Sequence, residues 1–144
     1  MVLFTIGYEG RTLEEVVSLL HAHGVKEVID VRENPHSRRP EFCKSNLGQT
    51  LVNAELCYRS FPNLGTPKVL RDSLKNGEDF SVFLERYSTH LDSQIDTLQI
   101  VLGTIEKTTC CLLCYEANPN FCHRKRLAEC IEALDGGLIK THHL

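Results

Sequence analysis

The segment from Val2 to Val31 leaves this chain few choices of fold. Residues 2–7 form an apolar run that ends at Gly7 and reads as a strand. After the loop Tyr8-Glu9-Gly10-Arg11, the residues Thr12-Leu13-Glu14-Glu15 have the spacing of a capping box. Leu13, Val16, Val17 and Leu20 then recur at helical intervals, and Gly24 supplies a stop. Val25 to Val31 reads as a second strand. Strand, helix and strand in that order favour a parallel pair joined by a right-handed crossover.

The rest of the chain extends the pattern. Residues 32–46 are polar and rich in Arg and Pro, a long loop of the kind that often carries function. A short helix is expected over residues 44–53 and a third strand near 55–61. Thr66-Pro67 reads as the N-cap and first residue of another helix, which ends near Asn76-Gly77. Phe80, Phe83, Leu84, Tyr87 and Leu91 mark a helix, and Ile95, Leu98, Leu102 and Ile105 mark its continuation or a second one. Thr109 to Tyr115 forms the fourth strand, and a last helix runs from about Phe121 to Leu134. Gly136-Gly137 then turns the chain into a terminal strand, Leu138 to His142. The expectation is a single α/β domain over residues 1–144, with a mostly parallel sheet of about five strands and helices on both faces.

Composition narrows the function classes. A chain of 144 residues buries roughly two-thirds of its unfolded surface in one domain. No apolar run approaches the roughly 20 residues that span a bilayer, and the N-terminus lacks a basic leader, so the default expectation is cytoplasmic with no membrane partner. Seven cysteines is an odd count, and Cys57, Cys110, Cys111 and Cys130 sit inside expected elements, which argues against a disulfide scaffold. The formal charge of −3 argues against indiscriminate coating of nucleic acid.

The chemistry concentrates in Cys114-Tyr115-Glu116-Ala117-Asn118-Pro119-Asn120-Phe121-Cys122-His123-Arg124. On a strand, Cys114 and Glu116 point to the same face. Cys122 falls in the first turn of the last helix, with Asn120 as its expected N-cap. The helix N-terminus and the adjacent His123 and Arg124 favour the thiolate there. Cys122 is thus the expected nucleophile, with Cys114 as a resolving partner or co-ligand and His123 or Glu116 as acid or base. Arg124 suits a carboxylate or phosphate. Ligands of open parallel sheets bind beyond the carboxyl ends of the strands, which here gathers Gly7 and Tyr8, Asp30 and Arg32, Phe61 to Gly65, and Cys114 and Glu116. Arg32, Arg38 and Arg39 bring positive charge to that edge.

Other patterns fail on geometry. Cys111-Leu112-Leu113-Cys114 has CxxC spacing, but on a strand residues three apart face opposite sides. His21 and His23 do not share a helix face. His142-His143 reads as an exposed tail. Gly7-Tyr8-Glu9-Gly10 is no dinucleotide fingerprint, and no Walker lysine occurs.

With these residues assembled, the chain resembles the DUF488 family, small proteins without an assigned general function. The resemblance rests on Thr5-Ile6-Gly7-Tyr8-Glu9-Gly10, Asp30-Val31-Arg32 with Pro35, Ser37 and Arg38, then Tyr58, Leu64-Gly65, Leu113-Cys114-Tyr115-Glu116 and Cys122-His123-Arg124. Thr66 departs from it, standing where members often carry a second glycine. The resemblance implies an α/β fold and a shared constellation of Asp30, Arg32, Cys114, Glu116, Cys122, His123 and Arg124, but no reaction. Three functions remain open. One is an enzyme using Cys122 on an anionic, phosphorylated or nucleotide-like substrate bound by Arg32, Arg124, Arg38, Tyr8 and Asp30. Another is a zinc or iron site of Cys114, Cys122 and His123, with Glu116 or Asp30 as further ligands. The third is a non-catalytic module for nucleotides or nucleic-acid ends.

Overall fold

A computed structural model describes residues 1–144. The strands are β1 (Val2–Gly7), β2 (Glu27–Asp30), β3 (Cys57–Ser60), β4 (Cys110–Cys114) and β5 (Lys140–His143). The helices are α1 (Leu13–Ala22), α2 (Lys44–Asn53), α3 (Lys68–Lys75), α4 (Phe80–Asp92), α5 (Ile95–Ile105) and α6 (His123–Leu134). The five strands make one sheet in the order β3-β2-β4-β1-β5, every pair parallel. The fold is α/β, as the opening strand-helix-strand pattern implies.

β4 lies in the middle, and all five of its residues are buried. Its continuous apolar run suits a strand covered on both faces. Alternation along it feeds two cores. Cys111 and Leu113 join Val16, Leu20, Phe42 and Leu47 beneath α1 and α2. Cys110, Leu112 and Cys114 join Phe83, Tyr87, Val101 and Leu127 beneath α4, α5 and α6. Cys111 and Cys114 therefore face opposite sides of the sheet, and Cys111 is packing. No helix is long and apolar enough to cross a membrane.

Local signals hold in detail. The Thr12 side chain accepts the Glu15 amide at 3.1 Å, and Gly24 adopts φ +69° after α1. The helix expected over 44–53 has those bounds. Elsewhere the boundaries shift. β2 is shorter than Val25 to Val31, and α3 starts one residue late, with Pro67 rather than Thr66 at the cap position. Residues 80–105 form two helices, because Ser93 and Gln94 cap the first and begin the second. His142 and His143 are not a tail. They form part of β5, where Thr5 Oγ1 lies 2.6 Å from His143 Nδ1.

Candidate functional site

The carboxyl ends of the three adjacent strands β2, β4 and β1 open into one cavity of about 600 Å³. Two glycines let its walls close. A Cβ on Gly7 would fall 1.8 Å from the Glu116 carbonyl oxygen, so only glycine lets β1 pass under the loop after β4. A Cβ on Gly65 would meet the Glu33 amide at 2.1 Å, which holds the loops after β2 and β3 in contact.

At the floor stand two sulfurs. Cys114 Sγ and Cys122 Sγ are 2.7 Å apart, closer than van der Waals contact between two sulfurs and longer than the ~2.05 Å of a disulfide. Pro119, Asn120 and Phe121 make a single helical turn, capped by Asn118, that delivers Cys122 back to β4. Cys122 is itself the N-cap of α6 and accepts the Arg124 amide at 3.4 Å, where Asn120 had been expected to cap. Burial by itself would raise the Cys122 pKa. Hydrogen bonds from the Cys114 thiol and His123, the His123 charge and the Arg124 amide outweigh it and lower it to about 3. The opposite holds for Cys114, whose burial and hydrogen bond to Cys122 push it well above the ordinary thiol range. These opposite shifts favour the charge on Cys122 and the proton on Cys114, and the two sulfurs titrate as a coupled pair.

His123 is held to serve that charge. Its Nε2 donates to the Val31 carbonyl at 3.0 Å, its Nδ1 lies 3.8 Å from Cys122 Sγ, and Tyr87 packs edge-on at 5.3 Å. Burial disfavours the imidazolium, but the Cys122 hydrogen bond and charge raise its pKa. Glu116 is held protonated more readily than an ordinary carboxyl, first by burial and then by the neighbouring thiolate. Its Oε2 is 3.7 Å from Cys114 Sγ.

The arginines are placed otherwise than a substrate clamp requires. Arg124 is wholly buried and absent from the cavity lining. Its Nε donates to Thr5 Oγ1 at 3.1 Å, Nη1 to Cys114 Sγ at 3.1 Å and to the Glu116 carbonyl, and Nη2 to the Ala117 carbonyl at 2.9 Å. It braces the β4 loop and solvates the sulfur pair. Arg32 reaches the cavity wall, but four of its five N–H donors are occupied. Nε and Nη2 grip both oxygens of Asp30 at 2.9 and 2.7 Å, while Nη1 holds Tyr8 Oη and the Phe42 carbonyl. Asp30 is fully buried, also accepts Tyr58 Oη at 2.6 Å, and does not line the cavity. Tyr8 lines it and stacks on Phe42 at 4.2 Å. Arg38 lines it and is exposed. Cys122 is absent from the lining, whereas Cys114, Glu116 and His123 are present.

For a metal, the donor atoms that converge are those of Cys114, Glu116 and Cys122, all within 4.8 Å of one another. Glu116 takes the place expected for His123, whose Nε2 is engaged by Val31. Asp30 is likewise outside the group.

Residues on α3 and α4 complete the cavity without any local sequence signal: Arg71, Lys75, Phe80 and Phe83. Phe80 and Phe83 had read only as part of a core stripe. Tyr115 and Phe121, inside the reactive segment, are exposed at the rim.

Comparison with the curated proteins and with the solved structures returned no match. The model of one protein family, described as "Domain of unknown function DUF488", matches residues 12–131. The matched span contains the ends of β2 and β4 and the α6 N-terminus with Cys114, Cys122, His123 and Arg124, and the chain belongs to the DUF488 family.

Proposed function

We propose that the protein is an enzyme that uses the Cys114–Cys122 pair as a shared nucleophile on an anionic substrate in the cavity. One observation carries the reading: two cysteine sulfurs 2.7 Å apart, flanked by Glu116 and His123, at the floor of a 600 Å³ cavity. Cys122 holds the charge, and Cys114 faces the ligand. As Cys114 attacks an electrophilic centre, its proton passes to Cys122 Sγ and its sulfur forms the new bond. The bond to the leaving group breaks with its electron pair, and Glu116, whose pKa is raised by burial and by the neighbouring thiolate, acts as the acid that supplies the proton neutralising it. Arg124 and His123 stabilise the negative charge before and during transfer.

The test is the pH dependence of the thiolate. Because the Cys122 pKa is depressed, its charged form persists as pH falls and disappears only towards about pH 3. The ultraviolet thiolate band at about pH 6, more than two units below the ordinary thiol pKa of ~8.5, is expected in the wild type and absent in Cys122→Ser. Iodoacetamide is expected to label Cys114 at that pH, and Cys122→Ser to slow the labelling at least tenfold. A sulfur pair that ionises only near pH 8.5 would remove the basis for catalysis.

The convergence of Cys114, Glu116 and Cys122 favours a second reading, a transition-metal site of mixed sulfur and oxygen donors. Protein purified without chelators would then hold about one equivalent of zinc or iron by elemental analysis, lost in Cys114→Ser. Cobalt added to the metal-free protein would give a sulfur-to-metal charge-transfer band. Neither signal is expected if the pair acts as a nucleophile.

A further inference from the structure

We infer that the ligand of this cavity is a nucleoside monophosphate, with its base against the rim aromatics and its phosphate between Arg38 and Lys75. The inference names a substrate class for the reading above and rests on it in taking the thiol pair as the reacting end. Charge points to the phosphate. The chain as a whole is −3, yet the lining holds Arg32, Arg38, Arg39, Arg71 and Lys75 against Glu33 and Glu116. Arg32 is locked to Asp30, and Arg39 donates to the carbonyls of Tyr8 and Arg11 while pairing with Glu41. Arg71 pairs with Glu33 at 3.2 Å. Arg38 and Lys75 have no carboxylate partner, and they come from separate elements, the loop after β2 and the end of α3. Two cations without carboxylate partners, from separate elements of one lining, suit a dianionic group.

The aromatics point to the base. The chain has six Phe, four Tyr and no Trp, and half of these rings line this one cavity: Tyr8, Phe80, Phe83, Tyr115 and Phe121. Phe121 is 68% exposed and Tyr115 47% exposed, although each is large and apolar enough to be buried elsewhere. Phe80 links Phe121 to the interior, 6.4 Å from Phe121 and 5.4 Å from Phe83, and Tyr115 packs edge-on to Tyr8 at 5.4 Å. The exposed ring of Phe121, 61° from Phe80, and that of Tyr115, edge-on to Tyr8, each offer a face for stacking, worth about 1–3 kcal/mol per base. The cavity volume lies in the ordinary range for ligand sites, roughly 300–1,000 Å³, which a mononucleotide fits.

Isothermal titration of the intact protein with AMP, GMP, CMP, UMP, ribose 5-phosphate, adenosine and inorganic phosphate tests the assignment. At least one mononucleotide is expected to bind about tenfold or more tightly than ribose 5-phosphate, adenosine and inorganic phosphate. The double change Arg38→Ala with Lys75→Ala is expected to weaken that mononucleotide about tenfold and leave adenosine unchanged. Phe121→Ala, at an exposed site, is expected to weaken both. Ribose 5-phosphate binding as tightly as every mononucleotide would overturn the base assignment, and no binding by any mononucleotide would overturn the inference. A Cys114→Ser, Cys122→Ser double variant keeps the two readings apart. Undiminished mononucleotide binding there, beside an ordinary thiol pKa in the wild type, would sink catalysis and leave the ligand assignment standing. A low-pH thiolate without mononucleotide binding would do the reverse.

Discussion

Arg124→Met is expected to lower stability by about 3–5 kcal/mol, the usual result of removing one member of a buried charged network. For a chain of this size that is a fall in Tm of roughly 10–15 °C. The reasoning follows the donors. Arg124 is wholly buried, and its guanidinium holds the Thr5 hydroxyl, the Cys114 sulfur and the carbonyls of Glu116 and Ala117. Methionine fills comparable volume but leaves the buried Thr5 hydroxyl and Cys114 sulfur and the half-buried carbonyls of Glu116 and Ala117 without their donor, and a buried acceptor left in that state costs about 1–3 kcal/mol. Arg124→Lys is not expected to rescue, because one ammonium cannot reproduce a planar fork that reaches β1, β4 and the loop together. Differential scanning calorimetry of both variants supplies the measurement. A Tm within about 2 °C of the wild type for Arg124→Met would show that the brace is not structural and would return Arg124 to the role of a ligand-binding residue.

That role was the natural one to read from sequence, and the reason it misleads is physical. A guanidinium next to two cysteines at a helix start suits a substrate anion and a set of backbone carbonyls equally well. Only burial separates them, and burial of α6 against β1 and β4 depends on contacts far apart in the chain. Asp30 and Arg32 show the same limit. Their placement at the end of β2 was legible from the strand pattern, but Tyr58, 28 residues on, and Phe42, 10 residues on from Arg32, complete the network that locks them together. By contrast, the opposed faces of Cys111 and Cys114 followed from strand alternation alone, which acts over two residues. The α1 cap at Thr12 was likewise local. The cavity's far wall was illegible for another reason. Phe80 and Phe83 obey the same helical spacing as the core residues Tyr87 and Leu91, so periodicity could not show that the stripe runs past the core into a cavity. The two cysteines divide the same way: helix position and basic neighbours identify Cys122 as the sulfur favoured to hold charge, whereas the presence of Cys114 in the cavity lining depends on the assembled fold.

Gly7→Ala is expected to damage the site as severely as removal of any of its reactive groups. The added methyl would sit 1.8 Å from the Glu116 carbonyl oxygen and 2.4 Å from its carbon, both backbone atoms that no rotamer change can move. Relief requires the end of β1 to separate from the loop after β4. That segment is pinned by the Tyr8 amide on the Cys114 carbonyl, the Glu9 amide on the Tyr115 carbonyl at 2.8 Å, and the Ala117 amide on Glu9 Oε1 at 3.1 Å. The displaced Glu116 carbonyl is also an Arg124 acceptor, so the shift propagates to the sulfur pair. Overpacking of this kind costs about 3 kcal/mol or more, a Tm loss of roughly 10 °C. The low-pH thiolate band should weaken with it. Gly48→Ala supplies the control. It lies inside α2, where alanine is favoured by roughly 0.5–1 kcal/mol, and its Cβ would meet only the Tyr58 ring edge at 3.1 Å. Its Tm should stay within about 4 °C of the wild type. If Gly7→Ala melted like Gly48→Ala and kept its thiolate at pH ~6, the close passage of β1 beneath the loop would not be what positions Glu116, Cys114 and Arg124.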